Sequence, residues 1–139
     1  MLGTVWQGLT RNEAVTDPTA DDARLRGRTY PVSFDRVWRA ALRLADGGLK
    51  RWSVHSFDDR DGRIEAIAAR RFSEGPDRIV IRITLDENAQ TRVDAEARAS
   101  SGGRDYGRNA RRIHAFMRAL DADLGQSGLP MAEARRAAP

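Results

Sequence analysis

The densest run of chemistry-bearing residues is Ser100-Ser101-Gly102-Gly103-Arg104-Asp105-Tyr106-Gly107-Arg108-Asn109, followed at once by Arg111 and Arg112. Glycines ahead of a helix let successive backbone N–H groups turn toward one point, and the helix N-terminus carries partial positive charge. Four guanidiniums, on Arg104, Arg108, Arg111 and Arg112, stand against the single carboxylate of Asp105. Gly102, Gly103, Arg104, Arg108, Arg111 and Arg112 therefore form a candidate anion site, suited to a phosphate, a carboxylate or a lipid headgroup. A purely structural account covers the same residues: Asp105 holds the turn, Gly107 permits a tight approach, Asn109 caps the helix, and the arginines are solvated. Neither a Walker-type phosphate loop nor a dinucleotide fingerprint is present.

Other constellations are poorer. The two histidines are His55, on a predicted strand, and His114, on a predicted helix. Nothing in their spacing sets a serine or carboxylate beside either in triad fashion, and they lack the i, i+4 spacing of a helical metal-ligand pair. His114 flanks an apolar stripe, which favours a partly buried structural role. Asp58, Asp59 and Asp61 flank a hairpin without the calcium loop's closing glutamate, so turn chemistry accounts for them. Asp94 and Glu96 share a strand face with Arg92 and Arg98, with Arg78 and Arg82 as cross-strand partners, an arrangement of exposed ion pairs. The sequence carries no catalytic set, no metal site and no cofactor signature.

Composition sets the outer bounds. The chain has 139 residues, 40% hydrophobic, and no cysteine, which excludes disulfides, thiol nucleophiles and thiolate metal sites. The formal net charge is +4, and Lys50 is the only lysine. Arginines are interspersed with acids on most segments and Phe34, Trp38 and Phe116 sit on predicted buried stripes, so nucleic-acid binding is disfavoured. No apolar run approaches the roughly 20 residues that cross a bilayer, and residues 1–6 do not make a signal peptide. A complete chain would be cytoplasmic; one that has lost a leader or anchor would belong to the cell envelope.

The elements that must position these residues follow from periodicity. Residues 1–27 lack it and read as an extended arm, able to dock through Leu9, Val15 or Leu25. A short strand at 28–33 has Pro31 marking an edge. Ser33 caps a helix whose apolar stripe is Phe34, Val37, Trp38, Ala41, Leu42 and Ala45, ended by Gly47-Gly48. Four strands follow at 50–58, 63–72, 78–86 and 91–100. Asp59-Arg60-Asp61-Gly62 turns between the first two, Gly75-Pro76-Asp77 breaks the chain, and residues 87–90 form a hairpin loop. Trp52 and Phe57 fall on opposite faces under strict alternation. Ile79, Ile81, Ile83 and Leu85 alternate with polar residues, as do Val93, Ala95, Ala97 and Ala99, the pattern of an antiparallel sheet covered on one side. A second helix carries Ile113, Phe116, Met117, Leu120 and Leu124 and ends at Gly125. The fold class is thus α+β: a meander of about five strands with two helices on one face, in the order β-α-β-β-β-β-α. The domain spans 28–125, and 126–139 form a flexible tail. Ala66, Ala68, Ala95, Ala97 and Ala99 imply either close helix packing, filled by Trp38 and Phe116, or an apolar cavity.

Read together, Leu9-Thr10-Arg11-Asn12 with Thr16, Arg24-Leu25-Arg26 with Arg28-Thr29-Tyr30-Pro31, Phe34-Asp35 with Val37-Trp38, and Arg92-Val93-Asp94 form a pattern. With Gly102 and Asp105-x-Gly107-x-Asn109-Ala110-Arg111-Arg112-Ile113, it resembles the bacterial domain-of-unknown-function 1499 family. That family characteristically carries an Asp-x-Gly-x-Asn-x-Arg-Arg-Ile stretch at its last helix. The resemblance runs from Leu9 to Leu124. Many members have an Arg-Ser-x-Ser-Arg run on the final strand; here the stretch is Glu96-Ala97-Arg98-Ala99-Ser100, leaving Arg98 and Ser100 to serve any role of that run. Many members also carry an upstream anchor or leader. The family brings no established activity.

The expectation is a non-enzymatic binding module for a small anionic or amphipathic ligand or a protein partner, acting through the 102–112 junction or the alanine-lined face. Two alternatives stand beside it. One is an enzyme assembled from distant residues, His55 or His114 with an acid. The other is a structural interaction protein pairing through the strand edge at Tyr30 and Pro31 or through the outer sheet face. The oligomeric state is not fixed by the sequence.

Overall fold

In a computed structural model, residues 13–15, 27–69, 75–99 and 106–125 are described. The elements are β1 (Glu13–Val15), β2 (Arg28–Tyr30), α1 (Phe34–Arg43), β3 (Trp52–Asp58), β4 (Arg63–Ala68), β5 (Asp77–Leu85), β6 (Thr91–Ala99) and α2 (Tyr106–Leu124). β3, β4, β5 and β6 form an antiparallel meander. Both β1 and β2 then pair antiparallel with β6, β1 along Glu96–Arg98 and β2 along Thr91–Val93. The two short strands share one edge position, so the sheet is five strands wide, and from β2 onward the order is the expected β-α-β-β-β-β-α. The 13–15 pairing adds a strand to the arm that periodicity alone does not reveal, because three residues are too few to show alternation.

Local chemistry explains the boundaries. The Ser33 hydroxyl accepts from the Arg36 N–H at 3.3 Å, capping α1 as its sequence implies. The helix then widens into a π-type turn over Leu44–Gly48 and stops where Gly47 takes φ +98°. Gly62 closes the β3–β4 hairpin at φ +66°, and a Cβ there would overlap the Ile83 carbonyl oxygen. Only glycine fits that position.

One face of the sheet is apolar and covered by both helices. Ile64, Ala66 and Ala68 of β4, Ile79, Ile81 and Ile83 of β5, and Val93, Ala95, Ala97 and Ala99 of β6 are all buried beneath Ile113, Phe116, Met117 and Leu120 of α2 and Val37 and Ala41 of α1. Trp52, beside Ala68 in register, stacks on Phe116 with centroids 5.8 Å apart. The aromatic meeting Phe116 is therefore Trp52; Trp38 instead stacks on Phe34 at 5.9 Å.

The placing of Trp52 and Phe57 on opposite faces is corrected by the structure. Register shifts between Val54 and Ser56, leaving His55 as the extra residue of a β-bulge. Ser56 moves to the outer face, where its hydroxyl donates to Glu65 at 2.8 Å, and Phe57 swings to the helix side opposite Ile64, edge-on to Trp38 at 6.3 Å.

Candidate functional site

The entrance of α2 is anchored by Asp77, the last residue of the Gly75-Pro76-Asp77 break. Asp77 opens β5 with inward parity, and its side chain is 0% exposed. Burying an ionised carboxylate in apolar surroundings is prohibitive unless cations and hydrogen bonds meet it. Here Arg108 meets it in a fork, Nε to Oδ2 at 2.9 Å and Nη2 to Oδ1 at 2.9 Å, while Arg112 Nε donates to Oδ2 at 2.7 Å. The i, i+4 spacing of Arg108 and Arg112 puts both guanidiniums on one flank of the helix, which is why one carboxylate serves both. The signal was present in the sequence: a lone acid in phase with Ile79, Ile81 and Ile83 demands a cationic partner.

The remaining residues of the junction divide. Arg111 is exposed, and its Nη1 lies 3.6 Å from where a Cβ on Gly107 would stand. Gly107 lies inside the helix without positive φ, and no described atom would clash with a methyl group there. Asn109 is 0% exposed and also lies inside the helix, which begins three residues earlier at Tyr106, so its side chain stands in the helix interior rather than at a cap. Gly102, Gly103, Arg104 and Asp105 lie outside the described residues.

The far end of α2 is fastened just as firmly. Tyr30, fully buried, donates its hydroxyl to Asp121 Oδ1 at 2.6 Å, and Arg28 Nε lies 3.7 Å from Asp121 Oδ2. Burial above all, then the Asp121 hydrogen bond, pushes the Tyr30 phenol far above its ordinary value. Arg43 pairs with Asp123, and Arg36 Nη2 donates to the Leu124 carbonyl at 3.2 Å, satisfying a terminal acceptor of the helix. Ion pairs at both ends thus fix the helix over the sheet, and its entrance is held rigid by β5.

The two histidines occupy different elements. His55 is exposed at the β3 bulge, and His114 is half-buried on α2. Among the described residues no group of three or more His, Cys, Asp or Glu side chains could hold a metal ion. No described helix is long and apolar enough to cross a membrane. On the outer sheet face, the Ser56 hydroxyl and then Arg63, whose Nη2 is 2.7 Å from Oε1, hold Glu65 below the usual carboxylate range. Pro31 is exposed, but the Tyr30 side chain beside it is turned inward and unavailable to a partner.

A family profile described as "Protein of unknown function (DUF1499)" matches residues 9–120. The chain belongs to this family. No curated protein and no solved structure matches it. The DUF1499 stretch around α2 now has physical content in this chain: Arg112 clamps Asp77, Asn109 and Ile113 are buried, and Arg111 and Gly107 form the outward-facing remainder.

Proposed function

We infer that this DUF1499 chain is a non-enzymatic binding module that takes a small anion, of phosphate or carboxylate type, at the entrance of α2. The observation that carries this reading is Gly107. Gly107 is the second residue of α2, and no described neighbour requires its lack of a side chain. A bare backbone in the first turn of a helix is what close approach of a ligand needs. Charge supports the same reading: Arg108 and Arg112 share one carboxylate, and Arg111 adds a third guanidinium. The helix dipole favours an anion in the same place.

Thermal unfolding in phosphate and pyrophosphate against chloride at matched ionic strength tests this. An anion present at ten times its Kd adds about 1.4 kcal/mol, a rise of about 5 °C for a domain of this size. Arg111→Gln, which touches no part of the Asp77 cluster, should remove most of the rise. Gly107→Ala should raise the basal Tm and lose the anion response together. A wild-type Tm indifferent to all three anions would end the reading.

A further inference from the structure

We propose that the strip between α1 and the β3 edge is a second site, independent of the anion reading, which docks a cationic, apolar segment of a partner protein. Phe57 is 58% exposed, although the bulge at His55 has brought it to the helix side of the sheet. Its ring leans edge-on against Trp38, which stacks in turn on Phe34. Phe34 and Leu42 of α1 and Val54 of β3 are only partly buried against the same core. The result is an aromatic and aliphatic strip that neither helix closes. Aromatic side chains, phenylalanine among them, are enriched at protein interfaces.

The charge beside the strip selects the occupant. Directly after Phe57 the hairpin presents Asp58, Asp59 and Asp61 against Arg60, all exposed, in a chain whose net charge is +4. Asp46 adds a carboxylate beside Val54, midway along β3, while Lys50 and Arg51 precede Trp52 at the end of the strand away from the hairpin. Asp58 Oδ1 already accepts from the N–H groups of Arg60 and Asp61. None of these four carboxylates takes part in an ion pair among the described residues. The acid therefore gathers where Phe57 is open, matching a segment with an apolar side chain for the Phe57–Trp38 step and a Lys or Arg for the hairpin. A guanidinium there also meets the face of Phe57. Strand addition is not the mode: the outward N–H of Trp52 is taken by the Leu49 carbonyl at 3.1 Å and that of Val54 by Asp46 Oδ1 at 3.2 Å.

The test titrates the ¹⁵N-labelled full chain with a short amphipathic Leu/Lys peptide and, separately, with its Leu/Glu counterpart. The Leu/Lys peptide should produce saturable shifts of the 54–62 amides that weaken with salt, and the Leu/Glu peptide none. Phe57→Ser, an exposed change whose folding is checked by its Tm, should weaken binding by about tenfold. Asp59→Asn with Asp61→Asn should weaken it less and flatten the salt dependence. Absence of saturable shifts, equal binding of both peptides, an unchanged affinity for Phe57→Ser, or self-association of the chain over the same amides would each overturn the proposal.

Discussion

Replacing Asp77 by Asn probes the anchor of α2 with little change of shape. The substitution removes the negative charge from a side chain that is 0% exposed, while Arg108 and Arg112 remain at 27% and 17% exposure. Of the guanidinium hydrogen bonds named above, the amide oxygen can keep those that reached one carboxylate oxygen and must lose the other. Removing one partner from a buried ion pair costs about 3–5 kcal/mol. Partial rehydration of the two guanidiniums lowers that here to roughly 2–4 kcal/mol, a fall of about 10 °C in Tm. Urea unfolding followed by circular dichroism and tryptophan fluorescence measures it. Arg108→Gln and Arg112→Gln should each cost less, since Asp77 then keeps one cation. Phosphate should stabilise Asp77→Asn more than wild type, because two released guanidiniums become available to it. A loss under about 1 kcal/mol, or a single arginine variant weaker than Asp77→Asn, would refute the shared-carboxylate account.

Two further outcomes follow from the fold. Gly62→Ala should destabilise by roughly 2–4 kcal/mol, because the new methyl would overlap the Ile83 carbonyl oxygen at φ +66°; a variant within error of wild type in urea unfolding would show that the β3–β4 hairpin can move away from β5. The raised phenol of Tyr30 fixes a sign: its stabilising contribution is whole below the ordinary tyrosine value near 10 and declines as pH rises beyond it, since the unfolded chain ionises first. Alkaline unfolding monitored by tyrosinate absorbance should therefore lose a steep component in Tyr30→Phe, which at neutral pH should cost only about 1 kcal/mol; equal alkaline midpoints would contradict the buried Tyr30–Asp121 pair.

What the sequence made legible were the features that repeat. The α1 stripe with its Ser33 cap, the Asp-Gly hairpin and the alternation of β5 and β6 each show in a single window, because one backbone period controls them. The partners of Asp77 did not, because they lie 31 and 35 residues away and no local period links an ion pair across a fold. The His55 bulge was hidden for a related reason: one inserted residue reverses the face of everything after it, and strict alternation carried Phe57 to the wrong side. At the junction, the arginines were found by type, but which of them face inward depended on where α2 begins, at Tyr106 rather than at Asn109.

The central claim, that the entrance of α2 takes an anion, is tested most directly by titrating phosphate into the ¹⁵N-labelled chain and following its amides. The account predicts saturable shifts concentrated at Gly107, Arg108 and Arg111, absent in chloride at equal ionic strength and lost in Arg111→Gln. Shifts spread evenly over the arginine-bearing surface, or none that saturate, would contradict it.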